Sequence, residues 1–258
     1  MFSNTKYFII DMDGTFYLGD KMIDGASDFT DCLKEKGKDY YFFTNNSSHD
    51  AKECIDKLIK IGYPVDENKV IISSHVAIDF INRHRKDKRI FLLANENFTN
   101  DCIKAGLNLV DDNPDIVLLG FDTTLTYNKI TKAANFIANG AEYIATHPDK
   151  NCPLADGFMT DTGSMIEMFY ASAGRYPDII VGKPYSYTVD YVTNMLGCSK
   201  DEICFIGDRL ETDIAIGAKN GTKSVLVYSG VTTPEMYEKS DIKATIAVSN
   251  LKALIEHI

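Results

Sequence analysis

Two acidic residues near the start of the chain stand two positions apart, directly after an apolar run. Asp11 and Asp13 follow Tyr7–Ile10, and Gly14 and Thr15 come next. Carboxylates this close repel each other, so they need a bound cation or a shared proton to coexist. The pair suits covalent phosphoryl transfer, in which one Asp attacks phosphorus and the other handles the proton of the leaving group. The alternative is a strand followed by an acidic turn, because Asp-Gly pairs commonly form turns.

Two more polar groups follow apolar runs that predict strands. Thr44 and Asn45 come after Asp39–Phe43, and their hydroxyl and amide can donate hydrogen bonds to phosphate oxygens or merely cap the next helix. Lys183 lies in a Gly-Lys-Pro segment after Ile179–Val181. Its ammonium could neutralise an attacking carboxylate and a phosphoryl oxygen together, although a lysine is more often a solvated surface charge.

A second acidic pair follows the apolar run Ile203–Ile206. Asp208 and Asp213 stand five positions apart around a predicted turn into a helix. Carboxylate oxygens of this kind suit Mg²⁺, which keeps several waters and usually takes one or two protein carboxylates. The alternative is an acidic helix start, where the helix dipole favours Asp and Glu.

Strands and helices alternate along the whole chain, and this alternation predicts a parallel, doubly wound α/β sheet. Functional groups collect just past the carboxyl ends of the strands in such a sheet, so we expect all four polar groups to meet at one edge of one sheet. The predicted strands are Tyr7–Ile10, Asp39–Phe43, Val70–Ile72, Arg89–Ala94, Ile116–Leu119, Glu142–Ala145, Asp178–Val181, Ile203–Ile206 and Ser224–Val227. The predicted helices lie near Gly25–Lys36, Asp50–Ile61, His75–Arg85, Phe98–Ala105 and Asn128–Asn139.

The amino-acid composition limits the kinds of partner that the protein is expected to bind. Its 258 residues are 45% hydrophobic and 25% charged, with a formal net charge of −10, and the two fractions are ordinary globular values. The acidity argues against nucleic acid or an anionic membrane as a main partner, and no apolar run approaches the ~18 residues of a membrane span. The six cysteines include no Cys-x-x-Cys pair. Their spacing indicates neither a zinc site nor a disulfide framework and favours a cytoplasmic location. The oligomeric state stays open, a homo-oligomer included.

Together the four motifs, in this chain order, resemble those of the haloacid dehalogenase-like (HAD) superfamily of aspartyl phosphotransferases. The matching segments are Asp11-Met-Asp-Gly-Thr15, Thr44-Asn-Asn46, Gly182-Lys-Pro184 and Gly207-Asp-Arg-Leu-Glu-Thr-Asp213. The chain also looks like the NagD-like p-nitrophenylphosphatases through Phe43-Thr-Asn-Asn-Ser-Ser48, Tyr127 and Gly140-Ala-Glu-Tyr-Ile-Ala-Thr-His-Pro-Asp149. This resemblance covers essentially the whole chain. It implies a Rossmann-like core of residues 1–75 and 179–258, with an α/β cap domain inserted at 76–178.

The resemblance implies a role for each matching residue. Asp11 would be the nucleophile that forms an aspartyl-phosphate, and Asp13 would protonate the leaving alkoxide and then deprotonate the hydrolytic water. Thr44 and Asn45 would hold the phosphoryl group, while Lys183 would offset the charge on the nucleophile and the phosphate. A Mg²⁺ ion would be held by Asp11, the backbone carbonyl of Asp13, Asp208 and, directly or through water, Asp213.

The sequence departs from the family pattern at two places in the expected cap. His147 stands where the family usually has Asn, and Thr160-Asp-Thr-Gly163 stands in place of a turn like Pro-Gly-x-Gly. The cap is expected to close over the site, exclude water and contact the leaving group. Its candidate contacts are His147, Asp149, Asp161 and Thr162, for which ordinary loop residues are the alternative.

The function that the resemblance implies is a Mg²⁺-dependent phosphatase acting on a small phosphorylated metabolite. Asp13 favours a phosphatase over a dehalogenase, since an alkoxide leaving group needs a proton and a halide does not. Candidate substrates are sugar phosphates, nucleoside monophosphates and esters like p-nitrophenyl phosphate. Two alternatives stay open: a phosphomutase or phosphotransferase on the same core, and a non-catalytic receiver-like phospho-switch.

Overall fold

The structure of the protein is a computed structural model that describes residues 1–154 and 157–258. Within these residues the strands are β1 (Tyr7–Ile10), β2 (Tyr17–Leu18), β3 (Lys21–Met22), β4 (Asp39–Thr44), β5 (Val70–Ile72), β6 (Arg89–Leu93), β7 (Asn108–Leu109), β8 (Ile116–Leu119), β9 (Glu142–Ala145), β10 (Asn151–Leu154), β11 (Gly157–Thr160), β12 (Ile179–Ile180), β13 (Ile203–Gly207), β14 (Lys223–Val227) and β15 (Ile246–Val248). The helices are α1 (Ala26–Glu35), α2 (Ala51–Lys60), α3 (Ser73–His84), α4 (Glu96–Lys104), α5 (Tyr127–Ala138), α6 (Thr162–Ala173), α7 (Ser186–Leu196), α8 (Ala215–Asn220), α9 (Pro234–Lys239) and α10 (Leu251–Leu254). Short 3₁₀ turns lie at Glu67–Lys69, Lys200–Glu202 and Ile255–His257, and a π-helical turn lies at Leu210–Ile214.

The first of two compact units contains residues 1–44, 51–71 and 183–258. Its sheet has the strand order β15-β14-β13-β1-β4-β5, and the strands from β15 to β4 pair in parallel. Every residue of β13 and all but the first of β1 are buried, as in parallel strands that helices cover on both faces. Because β1, β4 and β13 run in the same direction, the polar residues at their carboxyl ends share one edge of the sheet.

The second unit contains residues 45–50 and 72–182. Its sheet has the order β12-β9-β8-β6-β7, with all neighbours parallel, and β10 pairs with β11 in an antiparallel ladder. The apolar side chains of this unit cluster between the sheet, α5 and α6, and include Leu119, Tyr143 and Phe169. Full burial of one such side chain stabilises by about 1.5–3 kcal/mol, so the second unit has a core of its own.

One strand joins a different sheet from the one that the sequence predicts. The strand before Lys183 is expected beside β1, β4 and β13, but β12 pairs with β9 in the second unit, so that prediction is wrong. Asp178 fixes the pairing, because its Oδ2 accepts a hydrogen bond from Tyr143 N at 2.8 Å and its N donates to Tyr143 O at 2.7 Å. The units consequently divide between Gly182 and Lys183.

The α/β class and most element positions agree with the sequence. The predicted strands at 70–72, 116–119 and 142–145 match β5, β8 and β9 residue for residue. The strands β2, β10 and β15 are not predicted, because they lack the buried apolar run that predicts β5 and β8: β2 has two residues, β10 contains Pro153 and β15 is only partly buried. Among the described residues, no helix has the length and apolar character that crossing a bilayer requires.

Candidate active site

Backbone pairing brings Asp11 to the edge of the first sheet. Asp11 N donates to Ile206 O on the neighbouring strand β13 at 2.8 Å. Since β1 and β13 run parallel, the residues that follow the two strands are neighbours in space, although almost two hundred positions separate them in the sequence. The Asp11 side chain is 15% exposed, so its carboxylate is not sealed from solvent.

Lys183 joins Asp11 to a second carboxylate. Its Nζ lies 2.7 Å from Asp11 Oδ1 and 2.5 Å from Asp213 Oδ1, and it donates to Phe43 O at 3.4 Å. The lysine side chain is only 3% exposed. Burial by itself lowers the pKa of Lys183, but the two carboxylates outweigh burial and raise the pKa above its usual range. The lysine therefore stays charged, and two ion pairs fix its position beside Asp11.

Three carboxylates meet at this edge. Asp11, Asp208 and Asp213 each offer one oxygen, and these oxygens lie within 4.8 Å of one another. Burial, with added repulsion among the carboxylates, raises the pKa of Asp11 well above its usual range and the pKa of Asp208 to about 6. Because Lys183 supplies one positive charge to three carboxylates, the buried cluster keeps an excess of negative charge. A set of hard oxygen donors with that excess fits a divalent cation.

Two glycines allow the acidic side chains to approach the backbone. Gly14 has a φ of +79°, and a Cβ there would lie 2.6 Å from Asp208 Oδ2. A larger residue at this position would be strained and would collide with the carboxylate. A Cβ on Gly207 would overlap the carboxyl group of Asp213. The glycines of both acidic motifs therefore make room for the carboxylate cluster in addition to forming turns.

A loop to which the sequence analysis assigns no role contacts Asp208. Val231 N donates to Asp208 Oδ2 at 2.6 Å, and Thr232 N donates to Asp208 O at 3.2 Å. From the first motif, Thr15 Oγ1 donates to Asp208 Oδ1 at 3.4 Å. The loop at 228–232 follows the buried strand β14, so the Ser229-Gly230 pair, which Tyr228 separates from the predicted strand, is the sequence signal that could have identified this loop.

Asp213 lies in the π-helical turn Leu210–Ile214. Its Oδ2 accepts from Arg209 N at 3.1 Å, while its Oδ1 contacts Lys183. Single π turns are rare and occur often at functional sites. Here the turn lets one carboxylate accept a backbone hydrogen bond and bind the lysine at the same time.

Asp13 differs from the three clustered carboxylates. Its side chain is exposed, and among the described residues it lies outside the acidic cluster. Partial loss of hydration nevertheless raises the pKa of Asp13, against the opposing effect of Lys57 and Arg209. A solvent-facing carboxyl with a raised pKa holds a proton more readily than an ordinary aspartate, as a general acid requires. The metal contact through its backbone carbonyl stays a prediction.

Thr44 and Asn45 are neighbours in sequence but belong to different units. Thr44 is the half-buried last residue of β4. Asn45 is buried in the second unit, where its Nδ2 donates to Asp149 Oδ2 at 2.8 Å and its O accepts from Ser73 Oγ at 2.5 Å. The predicted contacts of both residues with phosphate stay a prediction.

The remaining candidates all lie in the second unit. His147, Asp161 and Thr162 are 0%, 3% and 0% exposed, whereas Asp149 is half-buried. His147 Nε2 lies 2.8 Å from Asp161 Oδ1, and Thr162 N donates to the same oxygen at 2.5 Å. Such burial disfavours direct contact of these three side chains with a substrate and leaves Asp149 as the most accessible of the four. Their role as substrate contacts stays a prediction.

Two family models match the chain at its two ends. One is described as a haloacid dehalogenase-like hydrolase and matches residues 8–108. The other is described as HAD-hydrolase-like and matches residues 180–254. The matched segments contain all six residues of the sheet-edge motifs that belong to the first unit, namely Asp11, Asp13, Thr44, Lys183, Asp208 and Asp213.

Relatives that align over nearly the whole chain are named as phosphatases. The 5′-nucleotidase YutF of Bacillus subtilis is 33% identical over 253 residues, which are 98% of this chain and 98% of the relative. The acid sugar phosphatase of Staphylococcus haemolyticus is 31% identical over 256 residues, which are 99% and 97% of the two chains. Among solved structures, the 4-nitrophenylphosphatase of Thermotoga maritima has a TM-score of 0.94 and 40% identity, over 98% of this chain and 97% of that one.

Proposed function

The chain belongs to the haloacid dehalogenase-like hydrolase family and is a phosphatase, and we propose that it uses Mg²⁺ and an aspartyl-phosphate on Asp11 to hydrolyse small phosphate monoesters. The observation that carries the proposal is the ammonium of Lys183, 2.7 Å from Asp11 Oδ1 and 2.5 Å from Asp213 Oδ1. This contact supports the proposal because the ammonium opposes the effect of burial on the pKa of Asp11 and so favours the ionised carboxylate, which is the form that attacks phosphorus.

The first step transfers the phosphoryl group to the protein. An oxygen of Asp11 bonds to phosphorus while the bond from phosphorus to the ester oxygen breaks. Asp13 gives its proton to the departing oxygen, so the leaving group departs as a neutral alcohol. Lys183 offsets charge on the nucleophile and the phosphoryl oxygens, to which Thr44 and Asn45 donate hydrogen bonds. Positioning and charge stabilisation account for most of the catalysis in phosphoryl transfer.

The second step returns the protein to its starting state. Asp13 accepts a proton from a water whose oxygen bonds to phosphorus, and the bond between phosphorus and Asp11 breaks. Inorganic phosphate leaves, and Asp13 is again protonated for the next turnover. A divalent cation held by Asp11, Asp208 and Asp213 would supply further charge neutralisation at the phosphoryl oxygens. Mg²⁺ is the proposed ion because all the donors are hard oxygens.

The proposed substrates are small phosphorylated metabolites. The names of the relatives point to nucleoside 5′-monophosphates, sugar phosphates and aryl phosphates. We propose that the second unit acts as a cap domain and determines which of these esters is hydrolysed fastest. No observation favours the mutase or receiver alternatives, and the scattered cysteines favour a cytoplasmic location.

A panel of esters tests the proposal. Purified protein with Mg²⁺ should release inorganic phosphate from at least one nucleoside monophosphate, sugar phosphate or p-nitrophenyl phosphate. Asp11→Asn should lower the rate about 10³-fold or more, because it removes the attacking oxygen. Asp24→Asn is the matched control, since Asp24 is an exposed carboxylate of the same unit that pairs with Lys252. More than about a tenth of the wild-type rate in Asp11→Asn would contradict covalent catalysis.

A further inference from the structure

Two of the four candidate substrate contacts in the second unit contact each other. His147 Nε2 lies 2.8 Å from Asp161 Oδ1, and both side chains are buried. We propose that His147 and Asp161 form a positioning pair that fixes Asn45 and Gly182 and thereby sets the rate of the chemical step. This inference rests on the proposed function, since its consequence is a change in phosphatase turnover.

A directed chain of hydrogen bonds surrounds His147. Phe121 N donates to Ser47 Oγ at 2.9 Å, and the hydroxyls of Ser47 and Thr146 lie 3.1 Å apart. Thr146 Oγ1 lies 2.9 Å from His147 Nδ1. Because a carboxylate oxygen only accepts, the hydrogen bond to Asp161 requires the proton on Nε2, and Nδ1 then accepts from Thr146. Each donor in the chain therefore has an acceptor while the imidazole is neutral.

The hydrogen bonds around His147 include the residue at which the polypeptide first passes from one unit to the other. Asn45 is bonded covalently to Thr44, and the chain passes from one unit to the other between them. Ser73 Oγ donates to Asn45 O at 2.5 Å and lies 3.4 Å from His147 Nδ1. The Asn45 side chain donates to Asp149 Oδ2 at 2.8 Å. The residue that follows Thr44 is thus held, through its carbonyl oxygen and its side chain, by residues around the imidazole.

The network also contacts the residue after which the polypeptide passes between the units for the last time. Gly182 precedes Lys183, and the units divide between them. Gly182 N donates to Thr146 O at 2.7 Å. A Cβ on Gly182 would lie 2.8 Å from Asn45 Oδ1 and 3.0 Å from His147 Cβ. The backbone next to Lys183 is therefore packed directly against His147 and Asn45.

Asp161 holds the other side of the imidazole in place. It is the N-cap of α6, where its Oδ1 accepts from Thr162 N at 2.5 Å. Gly163 N donates to Asp149 O at 2.7 Å, so the start of this helix also contacts the residue that binds the Asn45 side chain. Loss of the imidazole or of the carboxylate should shift the residues next to Thr44 and Lys183. Displacement of catalytic groups by about 1 Å can cost about 10²-fold in rate.

Steady-state kinetics of His147→Ala, Asp161→Ala and the double variant test the pair. Each single variant should lower kcat about 10–100-fold, by the same factor for p-nitrophenyl phosphate, a sugar phosphate and a nucleoside monophosphate, while KM changes less than about threefold. The double variant should be no slower than the slower single variant, because both remove one interaction. His147→Gln should recover part of kcat, since its side-chain amide can still donate to Asp161.

Tyr143→Phe is the matched control. Tyr143 lies on β9 of the same unit, and its buried hydroxyl makes no hydrogen bond among the described residues, so the variant should retain wild-type kcat. Melting curves should show each variant folded at the assay temperature, and a kcat loss that follows only the folded fraction would overturn the inference.

Two further results would also overturn it. Wild-type kcat in both single variants would remove the positioning role. A change in relative kcat/KM among the esters, with p-nitrophenyl phosphate unaffected, would place His147 in substrate contact instead. Neither result would touch the proposed function, which fails only if wild-type protein hydrolyses no ester or Asp11→Asn stays active.

Discussion

The charged cluster of the first unit and the buried network around His147 in the second differ in how their charges and protons balance. Asp11, Asp208 and Asp213 set three carboxylates against the one ammonium of Lys183. In the series of hydrogen bonds from Phe121 N to Asp161, each donor has an acceptor within the unit. A buried excess of charge is costly unless a ligand offsets it, whereas a satisfied network rigidifies its surroundings. The excess of negative charge therefore indicates a binding site in the first unit. The satisfied hydrogen bonds near His147 indicate a structural role in the second unit.

Replacement of the lysine should break the charged cluster most severely. Lys183→Met keeps the length of the side chain but removes the ammonium that contacts Asp11 and Asp213. We expect kcat/KM to fall about 10³-fold, because the nucleophile and the transferring phosphoryl group lose the positive charge of a buried ammonium. Lys34→Met is the control, since Lys34 is an exposed lysine of the same unit. A loss below about tenfold would show that the lysine is not needed for the chemistry.

Removal of divalent cations should show that the charged cluster does not support full activity without a metal ion. Activity should fall about 10²-fold or more in EDTA, because neutralisation of the phosphoryl charge is a large part of the catalysis. Mg²⁺ should restore it, while Ca²⁺ should restore it poorly, since Ca²⁺ prefers more ligands at longer distances. Phosphate release after dialysis and metal addition measures the effect. Full activity in EDTA would contradict the metal proposal.

Asp13→Asn should separate good leaving groups from poor ones. The variant removes the proton donor, so hydrolysis of alkyl phosphates should fall about 10²–10⁴-fold. The loss should be about tenfold smaller for p-nitrophenyl phosphate, whose phenolate leaves without a proton. The ratio of kcat/KM values for the two esters measures this difference. Equal losses would assign the role of Asp13 to positioning or metal binding.

The stability of the metal-free protein should depend on pH through Asp208. Its folded pKa of about 6 lies above the ordinary value of 3.8, so the folded state takes up a proton before the unfolded state does. Stabilisation is then complete below the unfolded pKa and is lost as the pH rises through about 6. Asp208→Asn should raise the free energy of unfolding by about 1–3 kcal/mol at about pH 8 and by little at about pH 4.

Thermal melts of the two proteins at both pH values, in EDTA, measure this difference. Added Mg²⁺ should reduce or reverse it, because a bound cation stabilises the wild-type carboxylate. A variant that is less stable than wild type at the higher pH would contradict the charge imbalance.

The sequence alone predicts the residues of the charged cluster well but not those of the network. Asp11 and Asp208 stand at the ends of apolar runs, and parallel strands place such residues at a common edge, so local pattern and topology suffice. The contact between His147 and Asp161 joins positions 14 apart across a strand pair and a helix start, and no local pattern encodes it. Ser47 and Thr146 likewise look like ordinary loop and strand-end residues.

The local sequence pattern also does not reveal to which of the two sheets a strand belongs. The apolar run at 179–180 fits either sheet, since periodicity reports burial and not the pairing partner. The two hydrogen bonds between Asp178 and Tyr143 decide the matter, and they link residues 35 apart. The Lys183 motif is nevertheless found, because Gly-Lys-Pro follows a strand end in either arrangement.

The strand order of the first sheet constrains folding during synthesis. β1 pairs with β13, which the ribosome makes almost two hundred residues later. Until then, β1 has β4 on one side and an open edge on the other, and open edges of this kind can pair with other chains. The second unit draws most of its residues from the continuous segment 72–182 and can fold before β13 is made. A chaperone that shields the nascent first unit should therefore act chiefly before residues 203–207 emerge.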